Sequence, residues 1–123
     1  MKTKNKIKTF FKNEQHRKIF TQTAEQLNSE DKKLMAAIYL LTADHYLWKQ
    51  AKKNVDSRGI NFNDMKMFGL NGTSFTLLCG AKDIYSGTNK ITLCDLSDNR
   101  VINERTFKLL CTAVLISRFG VYQ

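Results

Sequence analysis

Residues 34–41 form the segment LMAAIYLL, in which every side chain is apolar or aromatic. In a helix such a segment is apolar nearly all round, and helices of this kind lie buried at the centre of a domain. The chain contains no proline, so the residue that most strongly breaks helices is absent. The segment therefore predicts a central, buried helix around which the rest of the chain is arranged.

Further helices are predicted from capping residues and from apolar positions at helical spacing. Ser29 is the predicted N-cap of the central helix. The other predicted helices run from Asn13 to about Leu27, from His45 to about Val55, from Phe75 to about Tyr85, and from Asn103 to Arg118 or Phe119. In the third helix Leu47 and Trp48 are expected to face inward.

The apolar stripe of the last helix is predicted to face the core. It consists of Phe107, Leu110, Cys111, Val114 and Leu115, and it is widened by Leu109, Ala113 and Ile116. Two short alternating segments, 60–62 and 91–93, are candidates for a small β-ribbon. The sequence thus predicts an all-α fold with a single compact domain of about five helices and one very short two-stranded ribbon.

Positive charge is concentrated at the N-terminus. The chain of 123 residues carries a formal net charge of +9, and residues 1–18 hold seven Lys or Arg against one Glu. Segment 1–12 cannot build a core, apart from Phe10 and Phe11, which are expected to anchor its end on the folded body. We therefore predict a flexible basic arm over residues 1–12 and a single helical domain over residues 13–123.

Two groups of basic side chains are candidates for binding nucleic acid or an acidic partner. One group belongs to the arm and the start of the first helix, and the other to the outer face of the third helix and the residues that follow it. Together they are Lys2, Lys4, Lys6, Lys8, Lys12, Arg17, Lys18, Lys49, Lys52, Lys53 and Arg58.

No catalytic motif is found in the sequence. The two histidines have no partner at a spacing that suggests general-base chemistry, and His16 is expected to pack against Phe20 on the apolar face of its helix. Cys79, Cys94 and Cys111 have no close-spaced pair of the kind that zinc sites use. The sequence therefore predicts a protein without enzymatic activity, cofactor or metal.

The same features predict a location in the cytoplasm. No apolar run reaches the roughly 18 residues that a membrane helix needs, and the basic N-terminus lacks the apolar region of a secretory signal. The odd number of cysteines is typical of reduced thiols.

Several segments resemble a family of small uncharacterised proteins encoded on phages and mobile elements of Gram-positive bacteria. The segments are IYLLTADHYLWKQ (38–50), GINFNDM (59–65), AKDIYSG (81–87) and ITLCDLSDNRVINERTFKLLCTAVLISRFG (91–120). The resemblance covers roughly residues 14–120 and leaves the basic arm outside. It implies a shared helical fold, and it supplies no catalytic residues.

The resemblance also implies a biological setting. Small phage proteins without active sites often bind a host protein and block it, and an anti-CRISPR role belongs to this class. Our leading hypothesis from sequence is a protein-interaction module that inhibits a host or defence complex, such as a nucleoprotein complex. The alternative is a nucleic-acid-binding accessory protein that uses the arm and the lysines of the third helix. The positive charge argues against mimicry of DNA by this chain.

Overall fold

A computed structural model describes residues 8–65 and 69–121. Six α-helices and one short hairpin lie within these ranges, so the predicted all-α fold with a small ribbon is confirmed. The elements are α1 (Glu14–Leu27), α2 (Lys32–Thr42), α3 (His45–Ala51), β1 (Val55–Asp56), β2 (Gly59–Ile60), α4 (Gly72–Ser86), α5 (Leu93–Leu96) and α6 (Glu104–Phe119). Single 3-10 turns occupy Lys52–Asn54 and Phe62–Asp64.

The central helix is α2, as predicted. Every residue from Leu34 to Thr42 is buried, and the helix packs against α1, α3, α4 and α6. Its N-cap is Asp31, whose carboxylate accepts from the backbone N–H groups of Lys33 and Leu34. The prediction of Ser29 as the cap is wrong because its hydroxyl accepts from the N–H of Asp31 and lies before the helix.

Asparagine and aspartate side chains begin the other long helices. Asn13 caps α1, Asp44 caps α3, Asn71 caps α4 and Asn103 caps α6, each by accepting a hydrogen bond from a backbone N–H in the first turn. The cap at Asn71 begins α4 three residues before the predicted start at Phe75. Helix α3 is shorter than predicted, because a 3-10 turn follows Ala51 and Val55 belongs to the hairpin.

The small ribbon forms between neighbouring segments and not between the two that were predicted. Val55 pairs with Ile60 and Asp56 with Gly59 in an antiparallel hairpin. Segment 91–93 takes no part, because the N–H of Ile91 donates to the carboxylate of Asp83 at 2.7 Å and the next residue caps α5.

The buried face of α6 is centred on the residues that were predicted to widen the stripe and not on the stripe itself. Of the predicted residues, Leu110 is buried, but Phe107 and Val114 are 39% and 56% exposed. The face against the core carries Thr106, Leu109, Leu110, Ala113 and Ile116. Helix α6 is apolar on two sides, so spacing alone does not distinguish the buried side from the outer one.

A glycine permits the close packing of α4 against α6. A Cβ atom built on Gly80 would lie 2.5 Å from Leu110 Cδ2 and 3.2 Å from Leu40 Cδ1. Alanine is favoured over glycine inside a helix by about 1 kcal/mol. We nevertheless expect Gly80→Ala to destabilise the protein by about 1–3 kcal/mol, because the closely packed side chains of Leu110 and Leu40 must shift to make room for the methyl group.

The matched control for Gly80→Ala is Gly72→Ala in the same helix, where a Cβ would meet nothing within 4 Å. Urea unfolding should show that Gly80→Ala lowers the free energy of unfolding, whereas Gly72→Ala leaves it unchanged or raises it. A stabilising Gly80→Ala would contradict the packing described here.

Candidate binding groove

An open groove of about 550 Å³ lies between α1 and the α3 region. We call it the α1–α3 groove. Its walls are formed by Ile19, Gln22, Thr23, Gln26, Leu27, His45, Trp48, Lys49, Lys52 and Val55.

One wall is a single face of α1. Its residues occupy positions i, i+3, i+4, i+7 and i+8, which places them on one face of the helix. His16 and Phe20 are buried beside this face and fix α1 to the core. The hydroxyl of Thr23 donates to the carbonyl of Ile19 at 2.8 Å, so this hydroxyl is already used as a donor within the helix. The amides of Gln22 and Gln26 are the polar groups that this wall offers.

The opposite wall comes from α3 and the 3-10 turn after it. Leu47 and Ala51 are buried and anchor the short helix. Asp44 fixes its start, accepting from the N–H of Leu47 at 3.0 Å and from the hydroxyl of Ser74 at 2.7 Å. These anchors turn the side chains at positions 45, 48, 49 and 52 toward the groove.

The polar side chains of the groove are free to bind. Within the described part of the chain, six of them make no side-chain hydrogen bond or ion pair: Gln22, Gln26, His45, Trp48, Lys49 and Lys52. No carboxylate is among the groove-lining residues. The groove therefore presents two ammonium groups, an indole N–H and two amides with no acid to neutralise them, which suits an anionic ligand.

Of the four basic residues predicted on and after the third helix, two line the groove and two do not. Lys49 and Lys52 line the groove. Lys53 is exposed on the adjacent turn and lies outside the groove lining. Arg58 lies in the hairpin turn, where its guanidinium pairs with the carboxylate of Asp56 at 3.0 Å. This pairing lowers the pKa of Asp56 and leaves Arg58 partly neutralised.

The two predicted basic residues of α1 lie off the groove. Arg17 pairs with the carboxylate of Glu14 one turn earlier, and it lies about 160° round the helix from Ile19. Lys18 is exposed and about 100° from Ile19. Neither side chain is part of the groove lining.

The arm residues that the structure describes belong to a different region. Lys8 is exposed, and Lys12 lines a separate cleft beside Asn71, Asn103 and Arg105. Lys2, Lys4 and Lys6 lie outside the described residues. The predicted basic residues that the structure describes therefore do not form one surface, and the groove contains two of them.

Phe10 and Phe11 are anchored on the body as expected. The hydroxyl of Tyr39 donates to the carbonyl of Phe10. The ring of Phe11 contacts the rings of His16, Phe20 and Tyr39, with centroids 5.1–5.8 Å apart.

His16 is a structural residue in this cluster. It is 1% exposed, and its Nε2–H donates to the carbonyl of Tyr39 at 2.8 Å while its Nδ1 accepts from the N–H of Lys12 at 3.1 Å. This pair of bonds requires the neutral ring. Burial lowers the pKa of His16 from 6.5 to about 4.

Sequence reasoning missed the main aromatic residue of the groove. Trp48 was expected to face inward, and it does pack partly against the core, but it also lines the groove. The spacing of four residues between Trp48 and Lys52 could have indicated that these two side chains are neighbours. The contribution of Gln22 and Gln26 could not be predicted, because it depends on how α1 lies against α3.

Among the described residues, no group of three or more His, Cys, Asp or Glu side chains that could hold a metal ion is found. Cys79 is buried, Cys111 is half-buried and Cys94 is exposed, all as free thiols. None of the helices in residues 8–65 and 69–121 is long and apolar enough to cross a membrane.

Comparisons of the chain with models of protein families, with curated proteins and with solved structures find no match.

Proposed function

We propose that this protein is a non-enzymatic module that binds single-stranded nucleic acid in the α1–α3 groove. The observation that carries the proposal is the composition of that groove. Within the described residues the indole N–H of Trp48 makes no hydrogen bond, Lys49 and Lys52 lie beside this ring, and no acidic side chain lines the groove. Aromatic platforms next to basic side chains are how proteins bind single strands without reading their sequence.

The pairing of an aromatic ring with lysines favours nucleic acid over an acidic protein surface. An acidic protein surface would need only lysines to pair with its carboxylates. A nucleotide offers a phosphate for Lys49 or Lys52 and also a flat base for Trp48. A base must leave its stack to lie on an indole, so the ligand in this proposal is single-stranded. Basic residues of the arm would add contacts along the phosphate backbone.

The salt dependence of binding tests the role of the lysines. We expect Lys49→Ala/Lys52→Ala to reduce the slope of log affinity against log salt by about 1.4, since each phosphate contact on a single strand contributes about 0.7. Fluorescence anisotropy of a labelled oligothymidylate of about 12 nucleotides, within the 4–16 that such sites occupy, measures this slope.

The control is Lys32→Ala/Lys33→Ala, which removes the same charge from the start of α2 without touching the groove lining. It should leave the slope unchanged. Equal effects of the two double variants, or no binding of the oligonucleotide at low salt, would contradict the proposal.

A second candidate function is the protein-interaction module that our sequence analysis ranked first, acting on a host or defence complex in the bacterial cytoplasm. It is supported by exposed apolar side chains away from the groove, notably Phe75 and Leu93, which are 57% and 84% exposed. Pull-down from host lysate after nuclease treatment tests it. A partner that is lost with Phe75→Asp and kept with Lys49→Ala/Lys52→Ala would favour this function.

A further inference from the structure

Helix α6 carries a second stripe on the side away from the core, which we call the outer stripe. It consists of Glu104, Phe107, Cys111, Val114 and Arg118. These positions follow one another at steps of three, four, three and four, which is the spacing of a coiled-coil contact. Phe107 and Val114 are 39% and 56% exposed, Cys111 is half-buried, and both charged ends are exposed.

The outer stripe faces away from α2 and α4, the two helices against which α6 packs most closely. Helix α6 contacts α2 and α4 through its other side, which carries Leu109, Ala113 and Ile116. An exposed phenylalanine and valine in line on a helix form an apolar surface that association would remove from water.

We propose that the outer stripe binds a second copy of this chain, with the two α6 helices antiparallel. The order of charges along the stripe supports this occupant, because Glu104 lies at one end and Arg118 at the other. In an antiparallel pair each Glu104 meets Arg118 of the partner subunit, whereas a parallel pair would bring like charges together. Such a contact is self-complementary about a two-fold axis, as dimers of identical chains require.

The midpoint of the stripe provides a marker for this geometry. Cys111 is halfway in sequence between Glu104 and Arg118, so the two-fold axis passes near it and the two Cys111 side chains lie close together. Glu104 also pairs with Lys108 on its own helix, with 3.3 Å between Nζ and Oε2, but its side chain is 82% exposed and keeps access to a partner.

The dimer leaves the proposed nucleic-acid site free. No residue of α6 lines the α1–α3 groove, so a dimer would present two grooves. Dimerisation can therefore be tested without nucleic acid, and its failure would leave the proposed function standing.

Sedimentation equilibrium tests the dimer. It is measured at 0.15 M salt, where the Debye length is about 8 Å, so that salt screens much of the repulsion between the two positively charged chains. We expect the mass to rise from 14.2 kDa toward twice that value with concentration. Glu104→Arg and Arg118→Glu should each raise the dissociation constant by about tenfold, since each turns two attractive contacts into repulsive ones. The double charge swap should restore dimerisation.

The control for Arg118→Glu is Arg105→Glu, which makes the same change of charge one residue away from the outer stripe and should leave the dissociation constant unchanged. A mass of one chain at concentrations up to about 1 mM would overturn the proposal. So would a double swap that dimerises no better than either single variant. In both cases the outer stripe would bind a different protein or no protein.

Oxidation tests the antiparallel register. Diamide takes the two thiol hydrogens and joins neighbouring cysteines as a disulfide, which requires Cα atoms about 4.4–6.8 Å apart. We expect a crosslinked dimer that persists in Cys94→Ser and is lost in Cys111→Ser. A dimer that crosslinks through the exposed Cys94, or through neither residue, would contradict the register.

Discussion

Replacing Leu41 with alanine is expected to lower the free energy of unfolding by about 2–5 kcal/mol. The side chain is 0% exposed, and it belongs to the helix that packs against α1, α3, α4 and α6. The loss combines the transfer energy of the removed carbons with the cavity that remains. Since domains are stable by only about 5–15 kcal/mol, this one change removes a large part of the total.

Urea unfolding followed by far-UV circular dichroism measures the effect of Leu41→Ala. Leu93→Ala is the matched control, because it is the same substitution at a side chain that is 84% exposed. It should change stability by less than about 0.5 kcal/mol. If the two variants unfold at the same urea concentration, the assignment of α2 as the centre of the core is wrong.

Acidification from pH 6.5 to pH 4 is expected to remove roughly 3 kcal/mol of stability through His16 alone. The unfolded chain protonates this ring with the ordinary pKa of 6.5, while burial lowers the pKa in the folded state to about 4. Between these values the unfolded state binds more protons, so stability falls as the pH falls. The contribution of His16 is complete above pH 6.5.

The test compares urea midpoints at pH 4.5 and pH 7 in wild type and His16→Gln. Glutamine can still donate to the carbonyl of Tyr39 but does not titrate, so the variant should be less sensitive to acid although its stability at pH 7 is lower. His45→Gln, at an exposed histidine, should behave as wild type. An identical pH dependence of wild type and His16→Gln would show that the ring is not held in its neutral form.

Local signals in the sequence predicted most helix ends. Asn13, Asp44 and Asn103 begin helices because their short polar side chains accept from backbone N–H groups in the first turn. Gly87 ends α4 in the left-handed conformation that favours glycine. The apolar run 34–41 predicted the central helix because a segment without a polar face has no side to present to water.

Tertiary packing decided the features that sequence reasoning predicted wrongly. Segment 91–93 alternates like a strand, but the carboxylate of Asp83 takes the backbone N–H groups of Lys90 and Ile91. Helix α6 offers two apolar sides, and only its packing against α2 and α4 determines which of them is buried. The exposed side, with Phe107 and Val114, is the basis of the proposed dimer.

The candidate site could be predicted only in part. Lys49 and Lys52 were identified from charge. Arg17 and Arg58 are less available to a ligand, because Glu14 and Asp56 form ion pairs with them. These partners are three and two residues away, so the pairs could have been suspected from the sequence. The groove itself could not, since it exists only where α1 lies against α3.

The most direct test of the central proposal uses the fluorescence of Trp48, which is the only tryptophan of the chain. Titration with unlabelled oligothymidylate should quench its emission to saturation at low salt, because a base stacked on the indole contacts the fluorophore itself. The quenching should shift to higher oligonucleotide concentration in Lys49→Ala/Lys52→Ala and remain unchanged in Lys32→Ala/Lys33→Ala. Binding detected by anisotropy with no change in Trp48 emission would place the nucleic acid elsewhere and contradict the groove as its site.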